Sequence, residues 1–328
     1  MRYKKIPNTD MNISSITVGT WAIGADGWGD VNTKDSIEAI HAMVDNGVNF
    51  IDTAPIYGFG HSEEVVGQAI KGLRDKVMIA TKFGSTWPNG VNAPSVRNNG
   101  RESIMKEVDD SLRRLGIDCI DLYIAHWPDF EHSIEEMMGA LTDLQKAGKI
   151  RYIGLSNHDE AMMEEANKYG QVAMAQLPYS MVNRTAEETM QWVVDHGMAT
   201  MTYGSLGAGI LTGTIREIPK FDAKDRRATF YHDYFSEPMF SRTMKLLETL
   251  DDIAAAHGNV PVAQVAVNWS TQHPLVSTAI MGVRNVAEAN ENCAAMSWSL
   301  SDEEFARINK AIEETVGQGA HVKRQSKK

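Results

Sequence analysis

Four ionisable side chains follow consecutive apolar runs at a spacing that permits acid/base chemistry. Asp52, Lys82 and His126 each end one such run, and Tyr57 lies in the loop after Asp52. Because short apolar runs bounded by turn residues are typical of buried strands, we expect these groups to lie at one edge of a sheet. A set of this kind could protonate an oxygen that gains negative charge, as when a carbonyl group accepts a hydride.

The predicted chemistry depends on how the neighbours change the pKa of Tyr57. A phenol with a pKa near 10 is a poor acid and a rare base at neutral pH. An ammonium about 4 Å away would stabilise the phenolate by roughly 1–4 kcal/mol, which corresponds to about one to three pKa units. We therefore predict that Lys82 lowers the pKa of Tyr57. Asp52 would hold Lys82 charged, and neutral His126 would orient a substrate carbonyl oxygen.

A repeated strand–helix pattern would position these groups. Eight units predict an α/β fold of the closed (β/α)8 TIM barrel type, in which the C-terminal ends of the strands converge on one site. The alternative is an open, doubly wound sheet. It requires Gly-x-Gly-x-x-Gly after the first strand, and residues 24–29 do not match it. The predicted strands are 16–21, 49–52, 77–82, 119–126, 151–156, 172–177, 198–203 and 276–281.

Further segments are predicted outside the barrel strands. Residues 1–16 alternate polar and apolar types around a turn, which predicts an N-terminal β-hairpin. Ser301 and Glu304 have the spacing of a capping box and predict a terminal helix. We predict a single domain over 1–328, with a flexible tail at 317–328. The predicted helices begin at a Thr33 cap and then cover 62–72, 101–115, 134–147, 159–169, 186–196, 241–257, 261–272, 286–295 and 301–314.

Composition limits the function classes. The chain has 328 residues and a formal net charge of -11, which argues against nucleic acid or an anionic membrane as the main partner. Its two cysteines, Cys119 and Cys293, cannot build a disulfide framework or a thiolate metal site. No metal site is predicted, because the scattered histidines lack ligand spacing. With no signal-peptide pattern and no apolar run of membrane-spanning length, we expect a cytoplasmic protein.

The motifs around the four groups resemble those of the aldo-keto reductase superfamily, in particular its bacterial members. The segment 52–58, the Ala80-Thr81-Lys82 run and the strand-end His126 look like the catalytic tetrad of that family, in order and in spacing. The resemblance extends over nearly the whole length. It implies a TIM barrel that binds NAD or NADP and transfers a hydride directly between the cofactor and a carbonyl carbon, with Tyr57 as the general acid/base.

The resemblance also implies a set of cofactor contacts. Ser156, Asn157 and Gln176 would hold the nicotinamide carboxamide, and Tyr203 would stack on the ring. The loop 204–213 would close over the pyrophosphate, and 282–292 would meet the adenosine end. The implied contact residues are Thr20, Trp21, Asp52, Ser156, Asn157, Gln176, Tyr203, Gly204, Ser205, Leu206, Gly207, Gly209, Leu211, Gly213, Gly282, Arg284, Glu288, Glu291 and Asn292.

Cofactor choice and substrate are less constrained. Some family members carry an arginine at the position of Glu288, where it binds the 2′-phosphate of NADP. A carboxylate would repel that phosphate, but Arg284 could still pair with it, so both cofactors stay open and NADP is slightly favoured. Loops at the barrel mouth would select a small carbonyl compound, a sugar or polyol first and other aldehydes second. The predicted substrate contacts are Trp21, Tyr57, Trp87, His126 and Trp127.

Two other functions fit the sequence less well. A cofactor-binding regulatory subunit on the same fold would bind the nicotinamide with little turnover, and the intact tetrad speaks against it. A hydrolase using Ser156 or a metal-bound water would need a nucleophile elbow of the Gly-x-Ser-x-Gly type, which the chain lacks. The oligomeric state stays open. The sequence therefore predicts an NAD(P)-dependent oxidoreductase that interconverts a carbonyl and an alcohol.

Overall fold

Eight parallel strands close into a barrel, as the repeated pattern predicts. The computed structural model describes residues 1–25, 27–29, 31–91 and 93–320. Around the barrel, each strand pairs with the strands that precede and follow it in the chain, and the last strand pairs with the first. The barrel strands are β3 (Ile16–Gly19), β4 (Phe50–Asp52), β5 (Met78–Phe83), β8 (Ile120–Ala125), β9 (Ile150–Ser156), β10 (Val172–Pro178), β11 (Ala199–Tyr203) and β12 (Thr278–Gly282).

Helices surround the barrel and follow the predicted order. The main difference at a boundary is the first cap. Asn32, rather than Thr33, accepts hydrogen bonds from the backbone N–H groups of Lys34 and Asp35. The capping box of Ser301 and Glu304 is confirmed. The helices are α1 (Thr33–Asp45), α2 (His61–Ala69), α3 (Arg101–Leu115), α4 (Ile134–Lys146), α5 (Glu160–Ala166), α6 (Glu187–Asp195), α7 (Met239–Ala256), α8 (Val262–Gln272), α9 (Val286–Ala294) and α10 (Asp302–Glu314).

Two short hairpins lie outside the barrel. The predicted N-terminal hairpin is present as β1 (Tyr3–Lys5) and β2 (Asn12–Ser14). A second hairpin, β6 (Ser85–Thr86) with β7 (Val96–Arg97), lies in the loop between β5 and α3, where the sequence predicts neither a strand nor a helix. This second hairpin projects from the C-terminal end of β5. It therefore places part of the loop beside the barrel mouth.

The start of the predicted flexible tail is held in place. The backbone N–H of Ala320 donates to the Val182 carbonyl at 3.0 Å, and the N–H of Arg184 donates to the Gln318 carbonyl at 2.9 Å. These residues therefore pair with the segment after β10. Residues 321–328, the rest of that tail, lie outside the described residues.

Apolar side chains form two layers of core. A larger layer fills the space between strands and helices, and a smaller cluster fills the barrel interior. The interior cluster contains Phe50, Leu122 and Met201 from the strands, together with Ile13 from the N-terminal hairpin. The hairpin thus closes the N-terminal end of the barrel and leaves the opposite end for the polar groups. Within the described residues, no helix is long and apolar enough to cross a bilayer.

Candidate active site

A buried ion pair lies at the C-terminal end of the barrel. The Lys82 ammonium donates to both carboxylate oxygens of Asp52 at 2.8 Å and to the Thr53 carbonyl at 2.9 Å. Its three N–H groups can therefore all be satisfied although the side chain is fully buried. Gln176 donates to the same carboxylate at 2.8 Å. Adjacent parallel strands β4 and β5 hold the pair, since residue 52 is in register with Ala80.

Tyr57 lies directly above this pair. The ammonium of Lys82 is 4.9 Å from the centre of the tyrosine ring. Trp21 stacks with Tyr57 at 6.0 Å between ring centres, and His126 meets the Tyr57 ring edge-on at 5.9 Å. The structure thus brings together the four predicted catalytic residues, from three neighbouring strands and one loop. No site of three or more His, Cys, Asp or Glu side chains that could hold a metal ion is found among the described residues.

The predicted effect of Lys82 on Tyr57 is not found. Burial, followed by the charge of Asp52, raises the pKa of Tyr57 well above its usual value. The physical reason is that Asp52 offsets the ammonium charge at 2.8 Å, while the buried phenolate would lose its hydration. The prediction of an acidic phenol is therefore wrong, and Tyr57 carries its proton at neutral pH.

His126 is neutral in this environment, as expected. Burial lowers the pKa of its ring well below the usual range, and the charges of Lys82 and Arg97 lower it further. Its Nδ1 atom is buried without a hydrogen-bond partner among the described residues. Because buried polar atoms are rarely left unpaired, the ring is suited to a polar ligand at the barrel mouth. Arg97 was not predicted from the sequence as part of this site.

Predicted carboxamide contacts form a connected group. Asn157 donates to the Ser156 hydroxyl and to the His126 carbonyl at 3.0 Å each, and it accepts from the Tyr203 hydroxyl at 2.9 Å. Asn157 follows β9 in a left-handed conformation, with φ 63°. Gln176, from the next strand, faces Asp52. These amide and hydroxyl groups offer both donors and acceptors, which is what a carboxamide requires.

The segment 204–213 forms a curved loop beyond β11. It contains a 3-10 segment, Gly207–Thr212, in which Gly209 has φ 96°. A Cβ atom at Gly209 would meet nothing within 4 Å, so bare backbone borders open space there. Leu211 is fully buried in the core and supports the loop from below. The same loop contains the other implied cofactor contacts of this segment, which are Gly204, Ser205, Leu206, Gly207 and Gly213.

The segment 282–292, which the resemblance implies would contact the adenosine end of the cofactor, includes the end of β12 and most of α9. Arg284 donates to Glu288 through Nη2 at 2.7 Å and through its backbone N–H at 2.9 Å. Glu291 is exposed, while Asn292 is buried and donates to the Gly282 carbonyl at 3.2 Å. Asn292 thus fixes the strand end, and the exposed pair faces solvent beside the N-terminus of α9.

Aromatic side chains cover one side of Tyr57. Trp21 contacts Trp28, Phe230 and Tyr231 at 5.3–6.2 Å between ring centres. Trp127 stacks beside the His126 ring at 6.1 Å. Two further predicted residues have other contacts. Trp87 packs edge-on against Phe59 at 5.5 Å, and the Thr20 hydroxyl donates to the Asp52 carbonyl at 2.9 Å.

Together these residues fit a nicotinamide cofactor. Buried amides and hydroxyls suit the carboxamide, open glycine backbone at Gly209 and Gly282 permits close approach, and the N-terminus of α9 favours negative charge. A family model, the Aldo/keto reductase family, matches residues 15–313. The chain belongs to this family. This aldo/keto reductase is therefore an NAD(P)H-dependent oxidoreductase that interconverts a carbonyl group and an alcohol.

Relatives of this aldo/keto reductase match along almost its full length. Aldo-keto reductase YhdN of Bacillus subtilis is 38% identical over 96% of this chain and 95% of its own. The NADH-specific methylglyoxal reductase of Escherichia coli is 34% identical over 94% of this chain and 98% of its own. The solved structure of glycerol dehydrogenase AKR11B4 from Gluconobacter oxydans is 33% identical, covers 99% of both chains and has a TM-score of 0.89.

Proposed function

We propose that Tyr57 is the general acid/base of a reductase for small, polar carbonyl compounds. The observation that carries this proposal is the arrangement around Tyr57. A fully buried Asp52–Lys82 pair lies beneath the ring, and a neutral His126 lies beside it. No single member of the set would suffice, because one group must hold the proton and others must control where it goes.

In the direction of reduction, Tyr57 begins with its proton in place. When bound, the reduced nicotinamide supplies the hydride that adds to the carbonyl carbon. The substrate oxygen then gains negative charge, and Tyr57 donates its proton to that oxygen. Neutral His126 orients the oxygen toward the hydroxyl. Lys82, held by Asp52, lies beneath the ring, with its ammonium 4.9 Å from the ring centre. Trp21 and its aromatic neighbours exclude water from the same region.

The cofactor preference rests on Arg284 and Glu288. An exposed ion pair such as theirs contributes only about 0.2–1 kcal/mol, so a 2′-phosphate can draw Arg284 away at small cost. Glu288 opposes the phosphate through its charge. We therefore propose that both cofactors bind, with NADP(H) slightly favoured through Arg284.

The proposed substrate class rests on the aromatic and polar residues at the barrel mouth and on the names of the relatives. Aromatic surfaces beside polar groups suit short polyhydroxylated aldehydes and ketones. The relatives named above include a methylglyoxal reductase and a glycerol dehydrogenase, whose names refer to three-carbon compounds. We therefore propose glyceraldehyde and related three-carbon carbonyls, with glycerol-like polyols in the reverse direction, as the first substrates to test.

The decisive experiment compares Tyr57→Phe with Tyr152→Phe. Tyr152 bonds Asp10 at the opposite end of the barrel, so its loss removes a phenol without touching the site. Reduction of glyceraldehyde should fall by about 100-fold or more in Tyr57→Phe and stay unchanged in Tyr152→Phe. If Tyr57→Phe keeps activity within a few-fold, the proposed role is wrong. If the wild type binds NADPH but turns over no carbonyl, the regulatory alternative is favoured instead.

A further inference from the structure

A guanidinium lies at the barrel mouth, outside the four catalytic residues. Arg97 ends the β6–β7 hairpin and stacks on Trp127, with its Cζ atom 4.9 Å from the indole ring centre. Trp127 in turn stacks beside His126, which contacts Tyr57. Arg97 therefore lies on the His126 side of the acid/base group, where the part of a substrate beyond its carbonyl would extend.

The position of Arg97 is fixed by its neighbours. Its Nη1 group donates to the Ser85 hydroxyl on the facing strand of the hairpin. Two residues further on, Asn99 donates its side-chain amide to the Trp127 carbonyl at 3.1 Å and its backbone N–H to Asp129 at 2.6 Å. The segment carrying Arg97 is thus joined to the loop carrying Trp127. A guanidinium held in this way loses little further conformational freedom when it binds a ligand.

The charge of Arg97 reaches the catalytic group. Burial lowers the pKa of Arg97 to about 10, which shows that its charged form is partly desolvated. The same charge contributes to the low pKa of His126. Because a desolvated guanidinium attracts anions more strongly than a hydrated one, an anionic group at the mouth would be stabilised by Arg97.

We propose that Arg97 is a specificity-determining residue that favours carbonyl substrates carrying a carboxylate or a phosphate. This inference rests on the proposed function and deepens it. The planar guanidinium can donate two parallel hydrogen bonds to either anion. The carbonyl would lie at Tyr57 and His126, and the anionic end would lie at Arg97 and the edge of Trp127.

The test compares matched substrates in the wild type, in Arg97→Met and in Arg97→Lys. Glyceraldehyde 3-phosphate with glyceraldehyde forms the phosphate arm, and succinic semialdehyde with butanal forms the carboxylate arm. In at least one arm, we expect the wild type to favour the anionic substrate in kcat/KM. Arg97→Met should lower kcat/KM for the anionic substrate by about tenfold or more. It should change kcat/KM for the matched neutral substrate by less than about threefold. Arg97→Lys should retain part of the preference, since it keeps the charge.

Arg101→Met is the matched control, because Arg101 begins α3 close to Arg97 in sequence and makes an exposed ion pair with Asp143. It should leave both substrate classes unchanged. The inference is overturned if the wild type does not distinguish anionic from neutral substrates, or if Arg97→Met lowers both classes equally, which would indicate a purely packing role.

A binding arm separates failure of this inference from failure of the proposed function. Inorganic phosphate and malonate are titrated into the wild type and Arg97→Met, and the tryptophan fluorescence is followed without cofactor. Saturable binding of one of these anions to the wild type, lost in Arg97→Met, supports the inference even if no carbonyl is reduced. Absence of binding to the wild type, together with an inactive enzyme, overturns both proposals. Turnover of the neutral substrates alone, without anion binding, overturns only the inference.

Discussion

The buried pair of Asp52 and Lys82 gives the sharpest test of the structure. Replacing Asp52 with Asn keeps the size of the side chain and an oxygen that can accept from Gln176, but it removes the negative charge. The Lys82 ammonium, which is fully buried, then loses the charge that balances it. Removing one partner of a buried ion pair typically costs about 3–5 kcal/mol. At about 2.1 cal/mol/K of unfolding entropy per residue, the midpoint of this 328-residue chain should fall by about 4–7 °C.

The assay is thermal unfolding followed by circular dichroism at two pH values. Burial already lowers the pKa of Lys82 in the folded protein, while the charge of Asp52 raises it. Loss of Asp52 should lower this pKa further, whereas the unfolded lysine keeps its usual value. Since the unfolded state then binds more protons, the stability of Asp52→Asn should rise with pH as the buried ammonium loses its proton. The loss of stability should be smaller at about pH 9.5 than at about pH 7.

A double variant controls for other effects of the substitution. Asp52→Asn combined with Lys82→Met removes both charges, so the double variant should be more stable than the sum of the two single losses predicts. A midpoint for Asp52→Asn that equals the wild type at neutral pH would refute the reasoning. A deficit that grows with pH would refute it as well, because an unpaired ammonium could not be its cause.

Further predictions concern cofactor choice and acid stability. Glu288→Gln should raise the NADPH-to-NADH ratio of kcat/KM by about three- to tenfold, and Arg284→Met should lower it; unchanged ratios in both would exclude the pair as the selector. Burial lowers the pKa of His158 to about 4 from 6.5. The unfolded state therefore binds the extra proton between those values, and stability is lost as pH falls through this window, by about 3 kcal/mol in all. His158→Gln should flatten urea midpoints over the same range, and an unchanged slope would contradict this account.

The barrel, and the positions of three polar residues at its strand ends, could be predicted from the sequence because strand ends have a local signature. Strand ends are marked by a change from apolar to polar residues, and Asp52, Lys82 and His126 each lie at or next to such a change. The β6–β7 hairpin was missed because its two-residue strands pair across a segment rich in Gly, Asn and Pro, which gives no alternating pattern. Arg97 was missed for the same reason, since its place at the mouth depends on that pairing and on contacts with Trp127.

The pKa of Tyr57 could not be predicted because it depends on a balance among three groups. The sequence predicts that Lys82 has the largest effect on the pKa of Tyr57, since a cation beside a phenol favours the phenolate. In the structure, Asp52 bonds Lys82 at 2.8 Å, so the phenol is next to a nearly neutral pair and burial decides the outcome. Burial of the phenol, followed by the charge of Asp52, therefore reverses the sign of the expected shift.

The raised pKa of Tyr57 favours donation of its proton over uptake of a proton from an alcohol. A half-buried, protonated Tyr57 is ready to donate to an oxygen that becomes negative, because the charge on that oxygen is what makes the transfer favourable. In the reverse direction Tyr57 must first lose its proton, and in the resting site burial and Asp52 both oppose that loss. The rate of alcohol oxidation should therefore rise with pH over a range in which the reduction rate is flat. The same electrostatics make Arg97 important, since its charge contributes to the lowered pKa of His126.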